Sequence, residues 1–348
     1  MTARPAVDRL AALALSGAAV AAPALALHAH RAMAPILSVA AILAVAGTLA
    51  ARRRLPPFDH TLAALFAAAM AWSAVTLLWP VAEGGGLGLV VRVGLVLAGS
   101  LALVGAARGL GPADTGMVRA CLLAGIAIGA ALQAFEAATG GALKGLLSDR
   151  DAPIIAIKAG STVLVVLVWI AIAGAADQRR PGLAWLLAAA IAVPLPFMDG
   201  RAAAIAYVVG AGAFGLGWIA PRATAAVLAG GSAVAILAAP LAARDLLPRL
   251  FGGIDGGVLP FTAAHRIEIW RFAGARILER PLLGWGFDTA RAFPGADRVL
   301  DPATGATQMP LQPHNVGLQW WLELGLVGAI IGALTIAAIA GAAARRPT

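Results

Sequence analysis

Over 348 residues the sequence is 61% hydrophobic and only 12% charged, with a mean hydropathy of +0.87, far too apolar for a soluble domain whose whole surface meets water. A formal net charge of +9 would suggest nucleic acid in a soluble protein, but the arginines fall mainly between apolar runs, so they report membrane topology and no nucleic-acid partner is expected. The single cysteine, Cys121, excludes an intramolecular disulfide.

Apolar runs of roughly 18–22 residues are about what an α-helix needs to cross roughly 30 Å of hydrocarbon. They predict spans at about 10–28, 33–50, 61–79, 87–107, 116–137, 158–175, 183–198, 202–220, 223–241 and 315–342. The first lacks a small-residue cleavage site followed by a polar mature segment, so it reads as a span rather than a signal peptide. The expected fold is an all-α polytopic membrane protein of about ten helices. A transmembrane bundle of about nine fills 1–241, an outer segment occupies 242–313, and a last span with its tail covers 314–348. Arg4 and Arg9, Arg52 to Arg54, Arg108 to Arg119, Arg179 and Arg180, Arg222, and Arg345 and Arg346 fall on alternate sides of the span count. By the positive-inside rule that side is cytoplasmic, with both termini. The turns His28–Arg31, Pro80–Gly86, Thr139–Ile157 and Phe197–Arg201 then share the outer side with Ala242–Pro313. Pro23, and Pro194 with Pro196, make two spans irregular; alanine and glycine throughout let helices approach closely. No internal repeat is visible.

The outer segment has turn signals at Gly252-Gly253 and Gly256-Gly257, then an amphipathic helix predicted over 264–280 and closed by Pro281. Ile269, Trp270, Ala273 and Ile277 form its apolar stripe, with Glu268, Arg276, Glu279 and Arg280 mostly off it, so it lies on the membrane surface or packs on the bundle. Leu282 to Phe287 then supply a turn with aromatic side chains at the interface.

Three outer-side residues carry candidate chemistry. Arg201 follows Asp199-Gly200 in a short turn; it either snorkels to headgroups or pairs with Asp199, or it faces the bundle and binds an anion. Arg266 lies four residues before Trp270, on the same side of the helix. It is either a solvated charge or a planar fork for phosphate oxygens, with Arg271 and Arg276 as weaker candidates. His314 opens the last span. Below it Asn315, Gln319 and Glu323 recur every four residues, a polar stripe reaching about 12 Å along the helix. Such a stripe faces protein or a hydrated cavity rather than lipid. Histidine can accept a proton from an attacking hydroxyl, and Asn315 or Glu323 could order its surroundings. His28, His30, His60 and His265 have no matching carboxylate or cysteine spacing, so no metal site is expected. A phosphate loop and a serine nucleophile elbow are missing too.

In order, Asp199-Gly200-Arg201, Arg266-x-x-x-Trp270 followed by Pro281-Leu-Leu-Gly-Trp-Gly286, and His314-Asn315-x-x-Leu318-Gln319-x-x-x-Glu323-x-Gly325-x-x-Gly328 resemble the O-antigen ligase and polymerase superfamily of bacterial membrane glycosyltransferases. The resemblance covers roughly residues 190–330. Gly200 stands where that family usually has serine, and about ten spans are fewer than the twelve common in ligases. The resemblance implies a GT-C-like, metal-independent, inverting inner-membrane glycosyltransferase without a cofactor, its active site on the periplasmic face. Its donor would be an undecaprenyl-diphosphate-linked glycan. Carried residue by residue, it assigns diphosphate binding to Arg201 and Arg266 and the catalytic base to His314, with Asn315, Gln319, Glu323 and Trp270 in support.

A ligase would use lipid A-core as acceptor, a polymerase another lipid-linked glycan, and a protein O-oligosaccharyltransferase a protein hydroxyl. The long outer segment before the last span, carrying an arginine and the approach to His314, favours the ligase. A secondary transporter would need an internal repeat and ionisable pairs near the midplane; only Glu323 is a candidate there.

Overall fold

The computed structural model describes residues 6–79, 81, 86–147, 157–198, 201–252 and 259–344. Asp199-Gly200, Gly253, Gly256-Gly257, Arg4 and Arg345-Arg346 lie outside the described residues. All ten apolar segments are helical. They are α1 (Ala6–Leu25), α2 (Met33–Arg52), α3 (His60–Thr76), α4 (Gly86–Arg108) and α5 (Pro112–Thr139), a short α6 (Ala142–Leu147), then α7 (Lys158–Asp177), α8 (Pro181–Ala192), α9 (Arg201–Ile219) and α10 (Pro221–Leu241). Beyond them come α11 (Leu247–Phe251), α12 (Phe261–Glu279), a two-stranded hairpin of β1 (Val299–Asp301) and β2 (Ala306–Thr307), and α13 (Val316–Ala344). Among the described residues, seven helical stretches are long and apolar enough to cross a membrane, and three more (Arg9–Leu25, His60–Thr76 and Pro181–Phe197) are apolar but shorter. The chain is thus built as a multi-pass, all-α membrane protein. Ile42, Val166, Trp185, Val208 and Val227 stay exposed on these helices, which suits lipid as their solvent.

Helix ends follow local chemistry. Proline at the first turn opens α5, α8 and α10, where a missing N–H costs nothing. Gly140 closes α5 in a left-handed conformation, its N–H on Glu136 O. The span expected to reach residue 198 stops as an α-helix at Ala192 and continues as a 3-10 turn over Leu195–Phe197, because Pro194 and Pro196 remove two donors. Pro240 near the end of α10 is followed by a π-turn over Ala242–Leu246.

The chain forms two compact units. One comprises Met1–Asp59 and Val96–Ile219, the other His60–Leu95 and Ala220–Thr348. In the first, α1 packs on α2 and α5, and α7 on α8 and α9, around Leu27, Ile126, Leu164, Val168, Ile191 and Met198. Contact between α1 and α5 depends on small residues: a Cβ on Gly125 would meet Val20 O, and one on Gly129 would meet Pro23 O, each at 2.6 Å.

In the second unit α13 packs on α10 and α3 while α12 packs on α13 and the π-turn. Their core joins Ile236, Ala243, Ile269, Ala273, Ile277, Leu318 and Leu322 with Phe293 and Met309 of the segment that precedes α13. α13 is not one continuous rod. At Gly325 (φ 63, ψ −161) the helix breaks, in a region of backbone space open to glycine almost alone.

Candidate active site

α12 runs from Phe261, three residues earlier than the sequence pattern suggests, and buries Ala264, Ile267, Ile269, Ala273 and Ile277 along one side. It therefore packs on protein through that stripe. Its arginines have different fates. Arg271 is bonded to Glu268 and Arg276 to Glu279, each pair three residues apart, and Arg280 lies over the ring of Trp285. Arg266 is exposed and makes no ion pair with a described residue. One turn further, the indole N–H of Trp270 donates to Pro313 O at 2.8 Å. The neighbouring His265 ring meets Thr307 O at 2.7 Å, tying α12 to the hairpin. In the hairpin turn, the Thr304 hydroxyl and the Ala303 N–H hold the Asp301 carboxyl below its ordinary range.

His314 is exposed and takes a left-handed backbone conformation, φ 53. Pro313 before it is buried. Asn315 after it caps α13, its side-chain oxygen accepting from the N–H groups of Gly317 at 3.0 Å and Leu318 at 3.2 Å. Below, Gln319 donates to Glu323 Oε1 at 2.5 Å, and the same oxygen receives the Ala290 N–H at 3.4 Å. Glu323 is only 5% exposed, so the lower end of the polar stripe faces protein and anchors the turn at residues 288–290.

The turn expected at the interface does more than present aromatics. The N–H groups of Trp285 and Gly286 donate to Leu322 O and Glu323 O, the Trp72 indole donates to Leu324 O, and Pro281 O accepts from Leu326 N–H. These groups supply the partners that the break at Gly325 takes from the helix. A Cβ on Gly325 would lie 2.3 Å from Leu282 O, and one on Gly284 2.5 Å from Gly325 N. The two glycine-bearing motifs are therefore two halves of one interlock. An open groove of about 650 Å³ is lined by Arg291, Phe293, Pro294, Asp297, Met309 and Leu311 among others.

The second unit thus gathers Trp270, His314, Asn315, Gln319 and Glu323, with Arg266 one turn from Trp270. Arg201 belongs to the first unit, exposed at the start of α9, without an ion pair to a described residue. That unit also holds a polar node without a spacing signal. His28 Nε2 lies 2.5 Å from Glu136 Oε1, which also accepts the Lys144 N–H at 2.8 Å, while Lys144 Nζ donates to His28 O at 3.0 Å. Glu136 is fully buried in α5, so the node joins the turn after α1 to α5 and α6.

Residues 184–332 match the family described as O-antigen ligase. A Rickettsia conorii protein described as a proposed polysaccharide ligase is 39% identical over 72 residues, 20% of this chain and 18% of its own length. Proteins described in the same way from Rickettsia felis and Rickettsia bellii are 27% identical over 174 residues and 28% over 173, in each case 49% of this chain and 42% of theirs. The chain thus spans less than half the length of the curated relatives it matches. No solved structure gives a significant match. Within this chain of apolar helices, the segment 184–332 is thus similar to the O-antigen ligase family.

Proposed function

We propose that this protein transfers a glycan from an undecaprenyl-diphosphate carrier to a lipid A-core hydroxyl at the periplasmic face of the bacterial inner membrane. One observation carries the reading: the family-matched segment, residues 184–332, contains Arg201, Arg266 and His314. The difference between Arg266 and its paired neighbours Arg271 and Arg276 supports it, because a guanidinium engaged by a carboxylate is less available to phosphate.

In the proposed reaction the acceptor oxygen attacks sugar C1 as the bond from C1 to the diphosphate oxygen breaks, inverting the configuration at C1. The bonding pair leaves with the diphosphate. Arg201 and Arg266 stabilise the growing negative charge, a task a metal performs elsewhere. His314 takes the acceptor hydroxyl proton on its imidazole. Asn315 sets the first turn of α13 beneath it, and Glu323 holds the adjoining loop.

Complementation of a ligase-null strain and, separately, a polymerase-null strain tests this, with surface glycan resolved on gels. Rescue of the ligase-null strain alone is expected. Rescue of the polymerase-null strain alone would assign a lipid-linked glycan as acceptor. In the rescued strain His314→Ala should lower transfer by about 10²–10⁴-fold; undiminished transfer would remove His314 from its role as base.

A further inference from the structure

A general base works only if its nitrogen is held near the proton it takes, and a misplacement of about 1 Å can cost on the order of 100-fold. His314 stands in a short connection between the outer segment and α13, at a positive φ that a side-chain-bearing residue keeps only when its surroundings hold it. Two restraints flank it. On its far side Asn315 is committed to capping α13. On its near side the oxygen of Pro313 and the N–H of His314 belong to one rigid peptide plane, and the Trp270 indole grips that oxygen at 2.8 Å. Rotation of this plane would redirect the bond from N to Cα of His314, and the imidazole with it.

We propose that Trp270 is a positioning residue for His314. Its indole N–H fixes the Pro313–His314 peptide plane and so aims the imidazole at the acceptor hydroxyl. The inference rests on the reading of His314 as the base. It adds a division of labour along α12. Arg266 and Trp270 lie one turn apart on this helix, whose apolar side is buried, so one rigid element carries both a diphosphate ligand and the tether of the base. Loss of the tether therefore slows the chemical step while donor binding through Arg266 persists.

The test uses the full chain in nanodiscs, with a short-chain polyprenyl-diphosphate oligosaccharide as donor and rough-type lipopolysaccharide as acceptor. Trp270→Phe removes the N–H and part of the ring. Replacement of Trp270 by benzothienylalanine keeps the bicyclic shape and removes only the donor, so it serves even if Trp270→Phe misfolds. Both changes are expected to lower kcat by roughly 10–100-fold, with donor KM changed less than about twofold and the melting temperature of the benzothienylalanine protein close to wild type. The same replacement combined with His314→Ala should cause no further loss, because without the base there is nothing to position. An unchanged kcat in the benzothienylalanine protein, or a loss confined to donor KM, would overturn the tether while leaving the base reading intact. Full activity of His314→Ala alone would instead overturn the base reading and the tether together.

Discussion

Arg266 and Arg271 lie on the same helix five residues apart, yet among the described residues only Arg271 of the two is matched to a carboxylate, its Nη2 2.6 Å from Glu268 Oε2. Exposed pairs of this kind contribute little to stability, at most about 1 kcal/mol, but they decide which guanidinium is available to a ligand. Arg266→Ala should therefore lower kcat/KM by roughly ten- to hundredfold, the scale of a lost charge-assisted hydrogen bond. Arg266→Lys should recover little, since a point charge cannot copy the planar fork, and Arg271→Ala should stay within about threefold of wild type. Kinetics of the three variants with one donor check this; equal losses for Arg266→Ala and Arg271→Ala would contradict it. The places of Arg266, Trp270 and His314 in the fold were legible because the helix that carries the first two and the span that follows the third have plain periodicity. His28 with Glu136 was not: 108 residues separate them, and no local pattern encodes a contact made by packing α1 on α5.

At the scale of the element, the apolar runs located the helices because a span's length and composition are set by the hydrocarbon it crosses. Shorter features depended on partners the run itself does not contain. The sequence pattern reads α13 as unbroken, since glycine is common in membrane helices; the break at Gly325 is legible only once residues 281–286 are known to lie across it. Non-helical backbone at membrane depth is tolerated only where protein satisfies it, and here Trp72, Trp285 and Gly286 do so. Gly325→Ala should therefore destabilise the protein by on the order of 1–3 kcal/mol from backbone strain alone, with the clash against Leu282 O added. A lower melting temperature in detergent with reduced transfer is expected. Gly341→Ala in the same helix, where a Cβ would meet nothing within 4 Å, should be neutral. Equal melting temperatures for the two variants would mean that the break does not constrain the fold.

For the whole molecule, the reading requires the segment 242–313 to face the periplasm and the arginine-rich turns to face the cytoplasm. In a Cys121→Ser background, Thr304→Cys in the exposed hairpin turn should react with a membrane-impermeant maleimide in intact spheroplasts. Arg179→Cys should react only after lysis. The reverse pattern would invert the orientation inferred from arginine placement. The interlock of residues 281–286 with α13 also bears on biosynthesis. The N–H donors of Trp285 and Gly286 precede their acceptor carbonyls at Leu322 and Glu323 in the chain, so they emerge first and must remain hydrated until α13 has inserted. An unpaired group carried into hydrocarbon would cost several kcal/mol, which favours keeping residues 281–286 in water during that interval. Closing the clasp is then a late step of maturation, and the residues proposed to carry the chemistry take their final positions only after α13 has entered the membrane.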